Sequence, residues 1–195
     1  MTTPTVPLTS TRKGAPSPVS EHRPSTGAAS APPQSTANPR LGSLALTLLR
    51  LALGVEFLWA FFDKLFGLHY STPTARAWIN GGSPTKGFLS NVQSGPLRDF
   101  FHSIAGAPAA NWLFMLGLLG IGSALILGVA LRPAAACGAV LLAMMWLATW
   151  PIASMAAGQP TGSTNPVVDD HVISALALVV VGVFAARGAG FLGRR

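Results

Sequence analysis

From Pro133 to Val168 the chain carries no charged side chain, and Trp112 to Leu131 just before it carries none either; Arg132 alone separates the two runs. Such runs need apolar surroundings. A helix crosses a bilayer's hydrocarbon core in about 20 apolar residues, and within it every backbone N–H and C=O is paired internally. Only 10% of residues are charged against about 25% in a soluble domain, which excludes an ordinary cytosolic enzyme. The predicted fold class is therefore all-α: a polytopic membrane protein, a four-transmembrane-helix bundle with spans at about 41–67, 112–131, 133–155 and 171–187. Small-residue ladders, Gly120, Ala124 and Gly128 in the second span and Gly182, Ala186 and Gly190 in the fourth, are expected to let helix backbones approach closely.

Residues 1–40 hold half of the 16 prolines and almost no large apolar side chain, so they bury too little surface to offset their ordering entropy. They read as a disordered cytoplasmic tail ahead of a membrane domain at 41–190. Without an apolar core followed by a small-residue cleavage site, the tail does not read as a cleaved signal peptide. The net charge of +7 has its explanation in sidedness rather than in nucleic acid, because basic residues of membrane proteins accumulate on the cytoplasmic side. Arg12, Lys13, Arg23, Arg40, Arg132, Arg187, Arg194 and Arg195 fall on one side, and Lys64, Arg76, Lys86 and Arg98 on the other, with Arg50 inside a span. The expected protein is multi-pass in the cell membrane with both termini cytoplasmic. Residues 68–110 are then external, too long for a mere connection, and are expected to fold over the bundle. Within them Leu97 to Ala105 reads as a short amphipathic helix on the membrane surface.

Glu56 falls near the middle of the first span, where an ionisable group costs roughly 2.5–3.5 kcal/mol on insertion scales. Trp59 and Asp63 follow at i+3 and i+7 and share its face. This reads either as a proton route or quinone-headgroup site, or as a structural pair of Glu56 with Arg50 or a partner subunit. Asp63 and Lys64 end the first helix, and Asp169, Asp170 and His171 open the fourth, so these ends are candidate neighbours; a carboxylate beside a histidine suits proton transfer near neutral pH. Interfacial caps and ion pairs are the competing reading. Of the four histidines, His22 is in the tail and His69, His102 and His171 lie at or outside the external boundary, so no haem is expected. No ligand spacing supports a metal. The turn Asn80-Gly81-Gly82-Ser83-Pro84-Thr85-Lys86-Gly87 lacks the order of a phosphate loop; it reads either as free backbone N–H groups beside Lys86, Arg76 and Arg98 that would suit a small anion, or as a loop cap contacting lipid headgroups. Cys137 is the single cysteine, which excludes intrachain dithiol chemistry.

Arg50-x-x-x-Gly54-x-x-Phe57-Leu58-Trp59, continuing to Asp63-Lys64-Leu65-Phe66-Gly67, resembles the first helix of DoxX/DoxD-type membrane proteins. Gly122-x-x-Leu125-x-x-Gly128-x-x-x-Arg132-x-Ala134-Ala135 is similar to that family's junction of helices two and three. Trp78 to Leu89 and Asn165 to His171 resemble its DoxD-like branch. The resemblance implies a four-helix membrane subunit and, in that branch, thiosulfate oxidation coupled to quinone reduction, with quinone as co-substrate. Many members carry a glutamate near the start of helix two, where this chain has Met115-Leu116-Gly117-Leu118. On this reading Glu56, Asp63, Asp170 and His171 are the candidate catalytic residues. Lys64, Arg76, Lys86 and Arg98 are the candidate anion ligands, and Trp59 is the candidate quinone contact. A partner subunit or homo-oligomer is implied. Two other classes stay open: a non-catalytic membrane anchor for a partner redox protein, and a small transporter, disfavoured because one deep acid gives little polar lining.

Overall fold

The computed structural model describes residues 39–188; the expected tail and the end of the small-residue ladder at Gly190 lie outside them. Helix α1 runs Pro39–Phe66, in a Leu- and Ala-rich stretch whose residues rank among the best helix formers. It ends at Gly67, where φ is +69° and the N–H returns to the Asp63 carbonyl at 2.8 Å, a left-handed cap that glycine adopts without strain. Helix α4, Pro108–Leu127, begins and ends four residues earlier than the span expected at 112–131. Pro108 fits the first helical position, where no N–H is required, and Gly128 closes the helix at φ +74°. The shift lets α5, Leu131–Thr149, start after a three-residue connection, with Pro133 in its first turn as expected. Helix α5 stops six residues short of Met155 because Trp150 turns left-handed, φ +41°, and Pro151 cannot continue the hydrogen-bond ladder. A small antiparallel ladder follows, β1 Met155–Ala156 with β2 Gln159–Pro160. Its turn, Ala157 and Gly158, has φ above zero at both positions, as the mirror-image hairpin turns require. Helix α6, Asp170–Gly188, is capped by Asp169, whose Oδ1 accepts from the Val172 N–H at 3.1 Å.

Three helices are long and apolar enough to cross a membrane, Arg40–Phe66, Pro108–Leu127 and Leu131–Thr149, and α6 adds a shorter apolar stretch, Asp170–Phe184. They pack in a ring: α1 on α4, α4 on α5, α5 on α6, and α6 back on α1. Leu53, Phe57, Met115, Ile121, Leu125 and Leu178 fill the centre, while Leu113, Leu116, Val140 and Leu176 are exposed on the outside, where lipid is the solvent.

Close approach is set by glycines, of which Gly182 alone belongs to the expected ladders. At Gly120 a Cβ would meet nothing, whereas at Gly122 it would collide with Leu58, and at Gly54 with Ile126. On the other pair, Gly138 faces Leu178 and Gly182 faces Ala135. Gly120 points away from α1 because the face that packs is fixed by the partner helix, which a stripe of small residues does not identify. Arg50 neither pairs with Glu56 nor lies free: a Cβ at Gly128 would run into its guanidinium. Its charge therefore sits at the carbonyl end of α4, where the helix dipole favours a cation.

Residues 68–110 fold over one end of the ring. They contain 3-10 turns at Thr74–Arg76 and Trp78–Asn80 and short helices α2, Lys86–Leu89, and α3, Arg98–Ile104. Helix α3 is the amphipathic helix expected. Phe101, 2% exposed, packs with Val92 and with Ala148 of α5, and Arg98, Asp99 and Phe100 face out. Trp78 meets Trp112 of α4 edge to face, 4.7 Å between centroids.

Candidate functional site

Asp63 is buried, 1% exposed, and every contact of its carboxylate is to the segment that follows α1. Oδ1 accepts from the Tyr70 N–H at 3.2 Å, and Oδ2 from the Ser71 N–H at 3.1 Å and the Ser71 hydroxyl at 2.6 Å. An ionised carboxylate is acceptor only, and three donors from one turn make it a clamp on that turn. Lys64, next in sequence, meets the same turn: its Nζ donates to Ser71 Oγ, the hydroxyl that donates to Asp63, at 3.4 Å, and lies 5.8 Å from the Phe114 ring centroid.

Lys64 and Arg76 line one cavity of about 490 Å³ between the folded-over segment and helices α4 and α5. Its floor is apolar, including Phe114, Leu141, Met144 and Met145; Ser71 and Thr72 belong to its polar side. The Arg76 guanidinium reaches across to Gly87, where a Cβ would be 3.8 Å from Nη1. Among the described residues it has no ion-pair or hydrogen-bond partner. Two of the four expected anion ligands are thus brought together. The other two are not. Lys86 lays its aliphatic stem along Gly106, and Arg98 pairs with Asp99 at 3.3 Å on the exposed face of α3.

The Gly-rich turn is not an open nest of N–H groups, which removes the anion reading of its backbone. The Asn80 and Gly82 N–H groups bond to the Ala77 carbonyl, and that of Gly81 to the Trp78 carbonyl. What holds the turn in place is Asn111, which the sequence reading missed. Its Oδ1 accepts from Ser83 Oγ, Thr85 N and Thr85 Oγ1 at 2.9, 3.2 and 2.7 Å, and its Nδ2 donates to the Gly106 carbonyl at 3.3 Å. The available signal was an amide in the first turn of an apolar helix, where a buried polar side chain needs a full set of partners.

Glu56 lies on the opposite side of the ring, in the groove of α1 and α6. Its carboxylate is exposed to the outside and accepts from Ser174 Oγ at 3.2 and 3.3 Å. Phe66 ends α1 ten residues later, so Glu56 is about 15 Å below the end of the helix. Trp59, one turn above it, is 46% exposed and meets Tyr70 edge to face at 5.0 Å. Asp170 and His171 line a third place, a cavity of about 610 Å³ that also touches Thr149, Gln159 and Asn165. His171 Nδ1 is 2.9 Å from Asp169 Oδ2 and 3.4 Å from Asp170 Oδ1. The ligand-type atoms of these three residues lie within 4.8 Å of one another, but Asp169 already has one oxygen on the Val172 N–H and the other on His171. The remaining described histidines have separate partners, His69 with Thr74 Oγ1 and His102 with the Val92 carbonyl, each at 2.8 Å. The candidate residues therefore fall into three places, Lys64 with Arg76 and, through Ser71, with Asp63; Glu56 with Trp59; and Asp170 with His171; Lys86 and Arg98 stand apart from all three.

A family model described as DoxX matches residues 45–151, from the second turn of α1 through the folded-over segment to Pro151. Nothing matches among the curated proteins or among the solved structures. The Lys64 and Arg76 cavity lies inside the matched range, while Asp170 and His171 lie beyond it.

Proposed function

This chain belongs to the DoxX family of integral membrane proteins, and from that premise we propose that it is the membrane subunit of a redox complex that oxidises thiosulfate and reduces quinone. The observation that supports this reading is the meeting of Lys64 and Arg76 at one cavity with an apolar floor. A dianion leaving water needs several charge-assisted donors, and the Arg76 fork and Lys64 ammonium supply them. In this reading the chain spans the membrane four times with both termini cytoplasmic, and the cavity faces the external side, where thiosulfate is met. In the reaction two thiosulfate dianions join through a new S–S bond to give tetrathionate and release two electrons. One quinone takes up those two electrons and two protons. Glu56, hydrogen bonded to Ser174, and the Asp170–His171 pair are the groups assigned to proton movement in this reading.

The test is quinone reduction by thiosulfate with the complex purified in mild detergent. Arg76→Gln and Lys64→Gln should each raise the thiosulfate concentration needed for half-maximal rate by about tenfold, the cost of one charge-assisted contact of about 1.4 kcal/mol. A complex that retains its partner and reduces no quinone with thiosulfate would be an anchor instead.

A further inference from the structure

The cavity that holds Lys64 and Arg76 is not shaped for an inorganic anion alone. A fully hydrated anion gains nothing from Phe114, Leu141, Met144 and Met145, yet these make up its floor. Its volume of about 490 Å³ falls in the range of roughly 300–1,000 Å³ typical of sites for organic ligands. Two lining residues also mark where it opens: Leu113 on α4 is 77% exposed and Phe88 on α2 is 40% exposed. Leu113 is five residues into α4, about 7.5 Å below its first residue. The mouth therefore opens along the outward face of α4, and an occupant can enter sideways.

The two cations stand at different depths. Arg76 is at the exposed rim, whereas Lys64 is half-buried and shares the level of the Phe114 ring, 5.8 Å from its centroid. A ligand that fits has an apolar ring against Phe114 and the methionines, an acceptor oxygen at Lys64, and an apolar tail leaving past Leu113 into lipid. We infer that this cavity is the quinone site, so that the quinone ring and the sulfur oxyanion occupy one cavity, the ring on the floor and the anion at the Arg76 rim. The inference rests on the thiosulfate and quinone reading for the class of ligand. It moves the quinone contact from Trp59, in the groove of α1 and α6, to the α4 and α5 side of the ring. Of the three Lys64 donors one is on Ser71 Oγ, which leaves one for the anion and one for the quinone oxygen that gains negative charge during reduction, where a fixed cation stabilises the reduced form more than the oxidised one. One thiosulfate held at the Arg76 rim joins a second arriving from solution through a new S–S bond; the two electrons released pass to the ring, and the two protons of the quinol come from the side of Asp170 and His171, whose cavity shares Gly87 and Phe88 with this one.

The experiment uses the full-length protein in nanodiscs of phosphatidylcholine, with a short-tailed azidoquinone as photolabel and peptide mapping as readout. Label is expected on the peptides containing Leu113 and Met144, displaced by excess unlabelled short-tailed quinone. Leu113→Trp fills the mouth from a lipid-exposed position that carries little packing, and should lower the labelling about tenfold. Leu116→Trp, exposed one turn further in and outside the cavity, should leave labelling unchanged. Label on the peptide containing Trp59, or label insensitive to Leu113→Trp, would overturn the inference. Displacement by phosphatidylglycerol and not by quinone would also overturn it, in favour of an anionic lipid site. Thiosulfate binding is followed separately by calorimetry. Its absence alongside correctly mapped quinone label would defeat the thiosulfate reading and leave the quinone site standing.

Discussion

Replacing Asp63 by asparagine separates a clamp from a proton carrier. The carboxylate holds three donors, with Ser71 N–H and Ser71 Oγ on one oxygen and Tyr70 N–H on the other. An amide rotated to keep its oxygen for both Ser71 donors turns its NH2 group toward the Tyr70 N–H, donor against donor. One hydrogen bond to a charged acceptor, worth roughly 1.5–3 kcal/mol, is lost, and the other two fall to the neutral range of roughly 0.5–1.5 kcal/mol each. Relief of the desolvation cost of a buried carboxylate offsets part of this loss. The net cost is about 2 kcal/mol, which raises the fraction of time the turn is open by about 30-fold. Hydrogen exchange of the 68–74 peptide in detergent measures that fraction directly, and Asp63→Asn should exchange faster by this factor at the Tyr70 and Ser71 amides. Unchanged exchange together with lost turnover would refute the clamp and make Asp63 a proton carrier.

Gly128→Ala should lower thermal stability by about 1–2 kcal/mol for the left-handed backbone alone, with a further loss from displacing Arg50; a melting curve matching wild type would contradict the packed position of that arginine. Asn111→Leu leaves the buried Thr85 donors unpaired at about 1–3 kcal/mol each, so limited trypsin digestion should cut after Lys86 much faster than in wild type. Glu56→Gln keeps an acceptor for Ser174 and should assemble normally with reduced quinone turnover; full turnover would remove Glu56 from proton movement. Cysteines at Ser83 and Ser163 should react with an impermeant thiol reagent in intact cells while one at Ser25 does not, and the reverse pattern would invert the proposed topology.

The long helices were legible because apolar length and missing charge are properties of the sequence itself. Pro108 and Gly128 carry the start and stop signals of α4, but Trp112 and Arg132, taken as interfacial anchors, drew the expected span four residues too late and put Gly128 inside it. The anion ligands were half legible. Lys64, Arg76, Lys86 and Arg98 all belong to the region around one end of the ring, but which of them share a cavity depends on how residues 68–110 fold back. That is decided by Asn111 and Asp63 acting across 26 and 8 residues of sequence. Glu56 stood out by its cost in lipid, while its partner Ser174, 118 residues away, could not be read from either stretch.

The glycines also determine how the ring can move. Gly54 receives Ile126 and Leu58 enters at Gly122, so the same two residue sizes alternate in opposite order on α1 and α4. A slide of one turn, about 6 Å for four residues, would set Leu58 against Ile126, and the pair cannot ratchet. Gly138 with Leu178 and Ala135 with Gly182 key α5 to α6 in the same way. The seam between the two keyed pairs is closed as well, because Gly138 also faces Ile121 of α4 and Phe57 of α1. The cavity takes Lys64 and Phe114 from one pair and Leu141 and Met144 from the other, so the distance between its walls is set by glycine contacts elsewhere in the ring.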